Sequence, residues 1–232
     1  MTARLLESRE IAPEVRHFLF EVEDGTFPYV PGQFASLTAD INGSPITRAY
    51  SFASAPCGNR FELCLNRVIE GKFSPYLFDL KPGDRVQMTG PYGGFIFRRP
   101  VEDSVLIATG TGIAPFRAML QDQLSHDFSH DRSHQLTLIF GVRYEHTLLY
   151  AQEFEELARK HANFRFWPTL SRPDPDWTGR TGHVQAHLVE AIGERRDVNV
   201  FICGLKAMVD DVRSILKSSG FDRKRIIYEK YD

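Results

Sequence analysis

The rhythm of apolar residues changes once along the chain, near residues 98–103, and this limits the fold to two differently built parts. Before the change, short alternating runs read as β-strands at residues 15–22, 34–38, 49–53, 61–68 and 85–88. In the first run Phe18, Phe20 and Val22 fall on one face. Turn-rich pieces at 29–32, 42–45 and 81–84 separate the runs. Strands so spaced predict a small antiparallel barrel, interrupted by one helix at 75–80. After the change, strands are expected at 105–108, 136–140, 164–169, 198–203 and 225–228. Helices are expected between them at 116–124, 151–161, 184–192 and 208–217. That order predicts a Rossmann-like parallel sheet covered on both faces, with domains at 1–99 and 100–232.

A chain of 232 residues is long enough for each part to bury its own core. Its 42% hydrophobic and 25% charged content is that of an ordinary soluble protein. Eighteen Phe residues point to ring-lined interiors or ligand surfaces. A formal net charge of −2 gives no ground for nucleic-acid binding or a polybasic membrane anchor. No run approaches the roughly 18 apolar residues that would span a bilayer, so no membrane insertion is expected. Charges at Arg4, Glu7, Arg9 and Glu10 exclude an apolar leader core there. Cys57, Cys64 and Cys203 make no even disulfide set, so a reducing cytoplasm is the expected compartment. Three thiols also cannot ligate a four-thiolate iron–sulfur cluster; such a cluster would sit on another chain.

Five segments carry chemistry. Ala108-Thr-Gly-Thr-Gly-Ile-Ala-Pro115 lies where the first strand of the second part turns into its first helix. Glycines there admit close backbone approach, and a helix N-terminus offers N–H groups to phosphate. A Gly-rich turn that merely connects strand to helix is the plain alternative. Arg48-Ala49-Tyr50-Ser51 pairs a phosphate-binding type with a ring and a hydroxyl, although alone it is an ordinary strand. Gly71-Lys72-Phe73-Ser74-Pro75 reads as a helix start, with Ser74 as N-cap and Pro75 first in the helix. Cys203-Gly-Leu-Lys-Ala-Met208 again joins strand to helix, where a buried cysteine is ordinary packing. The last segment is Tyr228-Glu-Lys-Tyr-Asp232, for which a frayed tail is the default.

Taken together, in order and spacing, these segments resemble the ferredoxin–NADP reductase family over nearly the whole chain, from Pro31-Gly32-Gln33 to Tyr231. The resemblance implies a flavin-binding barrel followed by a nicotinamide-nucleotide domain, with FAD bound and NADPH or NADH as hydride donor. It implies Arg48 on the flavin phosphate, Tyr50 stacked on the ring system and Ser51 near the hydride-accepting nitrogen. Ala49, Asn66, Val68 and the Gly71, Lys72, Phe73 and Ser74 turn complete the implied FAD set. Gly110, Thr111 and Gly112 would receive the nicotinamide cofactor's pyrophosphate, and Cys203 and Gly204 would border its ring. Ser171, Arg172 and Arg143 would meet the 2′-phosphate of NADP, although Asp174 and Asp176 nearby oppose it. Ser51, Cys203, Glu229 and Tyr231 form the implied catalytic group. Tyr231 would cover the flavin, with the departure that Asp232 follows it.

The activity implied is reduction of a separate one-electron acceptor such as ferredoxin, flavodoxin or an oxygenase component. Reduction of free flavin or chelated iron, and a non-catalytic relay or nucleotide-sensing subunit, are the alternatives. Arg67, Lys72, Arg98 and Arg99 offer an acidic partner a docking face, though surface charges are ordinarily just solvated. His126, His130 and His134 recur every four residues, a ligand spacing on a helix. Their polar, weakly helical context reads instead as a solvated loop with no metal.

Overall fold

The computed structural model describes residues 1–23, 25–124 and 134–231 and forms two compact units. The first holds Met1–Ile96 and Ala114–Asp122, the second Phe97–Ile113 and Gln123–Asp232. In the first unit, strands β1 (Thr2–Ala12), β2 (Val15–Val22), β3 (Phe34–Ile41), β4 (Ser44–Ser51), β5 (Arg60–Asn66) and β6 (Arg85–Tyr92) form one antiparallel sheet. Its order is β4-β3-β6-β1-β2-β5, and helix α1 (Phe73–Asp79) leads from β5 toward β6. The sheet closes on itself just past β4, where Phe52 bridges Leu63 of β5 and Ala53 N–H donates to the Glu62 carbonyl at 2.8 Å. A closed sheet has no exposed edge at this seam.

Rings fill the barrel. Phe18, Phe20 and Val22 are fully buried, as their alternation requires. Phe52 sits at the seam with Tyr29 stacked 4.0 Å away, Phe61 at 5.5 Å and Phe27 at 5.7 Å. β3 and β4 are joined by a two-residue turn in which Asn42 and Gly43 take φ of 56° and 75°. That is the left-handed pair an Asn-Gly hairpin supplies.

β1 is absent from the sequence expectation, although it lies between β6 and β2 at the middle of the sheet. Two register shifts, between Leu5 and Glu7 and between Glu10 and Ala12, break its alternation. A bulge displaces the side-chain period, so charged residues crowd the outward face and mask the strand.

In the second unit, β7 (Ser104–Thr109), β8 (Leu136–Val142), β9 (Phe164–Leu170), β10 (Arg180–Thr181), β11 (Asn199–Leu205) and β12 (Ile226–Tyr231) form a parallel sheet in the order β10-β9-β8-β7-β11-β12. The helices are α2 (Ala114–Leu124), α3 (Ala151–Lys160), α4 (Val184–Ile192) and α5 (Lys206–Ser218). By contacts Ala114–Asp122 of α2 belongs with the barrel. Successive residues of β9 face opposite sides: Phe166 meets Phe154 of α3 at 5.3 Å, while Trp167 packs against the core cluster to which α4 contributes Val184 and Leu188 and α5 contributes Val212. Helices therefore cover both faces.

The C-terminal segment is not frayed. β12 pairs residue for residue with β11 as far as Leu205 opposite Tyr231, because a parallel neighbour supplies its backbone partners. His126 and His130 lie outside the described residues. His134 is buried rather than solvated, and its carbonyl accepts from the Asn163 side chain at 3.1 Å.

The seam depends on Phe52. Phe52→Ala removes a ring with no exposed surface from between three others, and is expected to destabilise the protein by about 3–5 kcal/mol. Urea titration of wild type and variant measures this; a loss below about 1 kcal/mol would assign closure to the other contacts.

Candidate functional site

Within the barrel unit, β4 carries the first candidate group near its end. Arg48 and Ala49 are exposed, Tyr50 is half-buried and Ser51 is buried. The Arg48 guanidinium donates to the Thr47 carbonyl at 2.8 Å. The Tyr50 ring lies 6.1 Å from that of Phe73 at 26°, which ties β4 to α1. Burial pushes the Tyr50 phenol up to about 12, against the pull of Arg48, so it stays protonated and able to donate near neutrality.

Asn66 closes β5 and is exposed. Beyond it Val68 makes a tight turn, its carbonyl accepting from Gly71 N–H at 2.8 Å. Ser74 does not cap α1. The helix starts at Phe73 with Lys72 at the N-cap and no side-chain cap, and the Ser74 hydroxyl accepts from Val68 N–H at 2.9 Å. The bulky Phe73 is drawn into the core and starts the helix early, and Ser74 buckles the preceding loop instead. No N-cap side chain occupies the first-turn N–H groups of α1, which can therefore donate to an anionic group. Arg48, Lys72, those amides and the Tyr50 ring make a donor set suited to a flat ring bearing phosphates.

Within the second unit, the candidate residues gather where the strand order reverses, between β7 and β11. Ligands of such sheets bind beyond the strand ends at this point. β7 runs into a 3₁₀ turn, Gly110–Ile113, before α2. Gly112 serves packing: a Cβ there would stand 2.4 Å from the Cys203 carbonyl oxygen and 2.7 Å from the Gly204 Cα. Gly204, at φ +140°, would press a Cβ to within 2.3 Å of the Thr109 hydroxyl oxygen, which accepts from Leu205 N–H at 3.3 Å. Gly110 differs, since no atom stands within 4 Å of a Cβ built on it. Close approach to a ligand is the expectation for both loop glycines; at Gly112 the β11 backbone also stands close.

Cys203, Glu229 and Tyr231 come together across β11 and β12, with Cys203 paired to Glu229 in register. Burial drives the Cys203 thiol well above its usual range, the Glu229 charge adds to this, and the Tyr231 hydroxyl works against it. Cys203 is therefore held as a neutral thiol.

Ser171 and Arg172 follow β9, and backbone bonds from Ser171 N–H to Val142 (3.0 Å) and from Arg172 N–H to Arg143 (2.9 Å) bring the two arginine segments side by side. The loop beyond is stapled by residues the sequence reading missed. Trp177 Nε1 donates to the Arg180 carbonyl at 2.9 Å, and Arg180 makes a fork on Glu190 at 2.6 and 2.7 Å while lying 3.9 Å from the Trp167 ring. The signal was present as Trp-Thr-Gly-Arg, but its partner Glu190 sits a helix away. Among the described residues no group of His, Cys, Asp or Glu is arranged to hold a metal, and no helix is long and apolar enough to cross a membrane.

Comparison with known proteins agrees with this division. The oxidoreductase FAD-binding domain family matches residues 2–97, and the oxidoreductase NAD-binding domain family matches residues 106–214. A protein named ferredoxin–NADP reductase B, from Sorangium cellulosum, is 40% identical over 99% of this chain and 97% of its own length. This chain belongs to the ferredoxin–NADP reductase family. As a member it is an NAD(P)H-dependent flavoprotein oxidoreductase whose cofactors are FAD and NAD(P)H. The electron transfer component of toluate 1,2-dioxygenase from Pseudomonas putida is 31% identical over 88% of the chain, which spans 59% of that longer protein. The crystal structure of an Amycolatopsis cytochrome P450 reductase superposes with a TM-score of 0.88 at 33% identity, covering 99% of this chain and 68% of that one.

The Cys203 environment gives this reductase a pH signature. A pKa raised by folding contributes stability that is whole below the unfolded thiol value, about 8.5, and is lost progressively as pH climbs from there through the folded value. Between pH 7.5 and 9.5 the wild type should lose stability faster than Cys203→Ser, the two slopes differing by at most about 1.4 kcal/mol per pH unit. Parallel slopes in paired denaturant titrations would contradict a buried, protonated thiol.

Proposed function

We propose that this chain oxidises NADPH in preference to NADH and passes the electrons singly to a separate protein, a ferredoxin, a flavodoxin or an oxygenase component. Residues 1–99 hold the flavin in this reading and residues 100–232 the nicotinamide nucleotide. The observation that carries it is the presence, in one chain, of the Arg48–Tyr50–α1 donor set and the glycine turn at the strand-order reversal. The names of the relatives support the acceptor class: one is a ferredoxin–NADP reductase, one a dioxygenase electron transfer component, and one a cytochrome P450 reductase.

Bound FAD supplies the chemistry of taking a hydride as an electron pair and releasing electrons one at a time. The chain's residues have simpler tasks. Arg48 and Lys72 balance phosphate charge, together with the uncapped amides of α1. Tyr50 offers a protonated ring as a stacking surface, and Ala49, Asn66, Val68, Gly71, Phe73 and Ser74 shape the rest of that cradle. Ser51 stands at the end of β4 to orient the reacting ring edge by its hydroxyl. Gly110 and Thr111 present backbone N–H groups to a pyrophosphate, and Gly112 and Gly204 keep that turn close to β11. Cys203 borders the nicotinamide as a neutral, polarisable thiol, beside the Glu229 carboxylate and the Tyr231 ring. Arg143, Ser171 and Arg172 select the 2′-phosphate.

The test is a dye-linked assay of the purified, flavin-bearing protein with both nicotinamides, on wild type and Arg172→Ala. A charge-assisted hydrogen bond is worth roughly 1.5–3 kcal/mol, so the variant should lose about 10- to 100-fold in kcat/KM for NADPH while NADH turnover stays unchanged. A wild type that favours NADH removes the role given to Arg172. A protein that sheds its flavin on purification and reduces added flavin points to a free-flavin reductase instead.

A further inference from the structure

Just past Ser51 the chain enters Phe52–Ala55, a segment with Phe52 and Ala53 fully buried and Ser54 nearly so. Its backbone is held from several sides. Phe52 N–H donates to the Gln33 carbonyl at 3.0 Å and Ala53 N–H to the Glu62 carbonyl at 2.8 Å. Ser54 Oγ accepts from Glu62 N–H at 3.1 Å and meets the Tyr29 hydroxyl at 2.9 Å. The remaining two holds come from side chains of α2, one turn apart on a single face. Arg117 donates to the Ala53 carbonyl at 2.7 Å, and Gln121 accepts from Ala55 N–H at 3.0 Å.

Arg117 is a costly choice for a mere packing residue. Its side chain is buried, so its charge requires a partner, and the Glu62 carboxylate supplies one directly. His17 stands 3.7 Å from the same carboxylate oxygen. Removing the guanidinium would leave the Ala53 carbonyl without this donor and Glu62 without its countercharge. A neutral side chain of similar length would fill the space without making either bond. The geometry thus couples the backbone that ends β4 to a helix that begins directly after the glycine turn.

We propose that Arg117 and Gln121 are positioning residues for the reductase reaction: from α2 they clamp Ala53 and Ala55 and so fix where β4 presents Ser51. This rests on the reading of Ser51 given above. Neither residue need touch the flavin or the nicotinamide. Their effect travels along the short backbone segment that follows Ser51, from Ala53 and from Ala55. Misplacing a reacting group by about an ångström costs on the order of a hundredfold in rate, so even partial slack should register.

The experiment is anaerobic stopped-flow reduction of the flavin-bearing protein by NADPH, on Arg117→Met, Arg117→Lys, Gln121→Ala, Ser51→Ala and the double variant Gln121→Ala/Ser51→Ala. Amide hydrogen exchange across residues 51–55 is followed alongside. Gln121→Ala should slow the limiting reduction rate about tenfold with the NADPH dissociation constant unchanged. It should also speed exchange across the whole segment. Arg117→Met should slow reduction further, and Arg117→Lys, which keeps a donor, should recover part of the loss. In the Ser51→Ala background Gln121→Ala should add nothing, because its effect passes through the hydroxyl already removed.

Multiplying effects in the double variant, or exchange that quickens at Ala55 alone with the reduction rate intact, would overturn the proposal. Should Arg117→Met not fold, the Gln121→Ala cycle decides by itself. A Ser51→Ala protein that reduces at the wild-type rate removes the clamp's object, and the proposal with it. A wild type that NADPH does not reduce is a different failure, that of the functional reading.

Discussion

The second unit is organised around one close approach, that of Gly112 to the peptide joining Cys203 and Gly204. No side chain fits between them, since a Cβ on Gly112 would lie 2.4 Å from a carbonyl oxygen. The contact lies at the reversal of strand order, where β7 and β11 are neighbours and their following helices leave the sheet. It lets the Gly110–Ile113 turn lie flat against the end of β11. From this follow the placing of Thr109 beneath Gly204, the burial of Cys203 and its pairing with Glu229. Two glycines thus remove bulk at the point where a nucleotide phosphate needs backbone rather than side chains.

The barrel solves a different problem. Its seam is closed by rings around Phe52, and the polar chemistry begins one residue earlier, at Ser51. Both units keep titratable groups neutral where they are covered: burial holds Tyr50 and Cys203 in their protonated forms. Charge is left to residues with partners, such as Arg117 on Glu62 and Arg180 on Glu190. Such an arrangement suits a reaction in which the cofactors change charge and the protein is required not to.

Much of this was legible in the sequence because it obeys local periods. The alternation of Phe18, Phe20 and Val22 and the strand–helix rhythm after residue 103 follow from side-chain geometry alone, and α4 was placed to the residue. The five motifs could be read since each sits at the end of a strand. Features that depend on distant partners were not legible. β1 is masked by two bulges, and Ser74, which has the sequence context of a cap, instead accepts from Val68 N–H. Tyr231 looked like the end of a tail, although β11 offers it a partner strand. Arg117 was visible only as part of a motif; Ala53 and Glu62, which explain it, lie more than fifty positions earlier.

The measurement that bears most directly on this account is reduction of Gly112→Ala under anaerobic conditions by NADPH and, separately, by dithionite. The close approach belongs to the second unit, so the variant should keep its flavin and be reduced by dithionite as readily as wild type. With NADPH its reduction should be slower by roughly a hundredfold, as the turn is pushed off β11. Reduction by NADPH at the wild-type rate would show that the turn does not need the space Gly112 leaves, and would contradict the account.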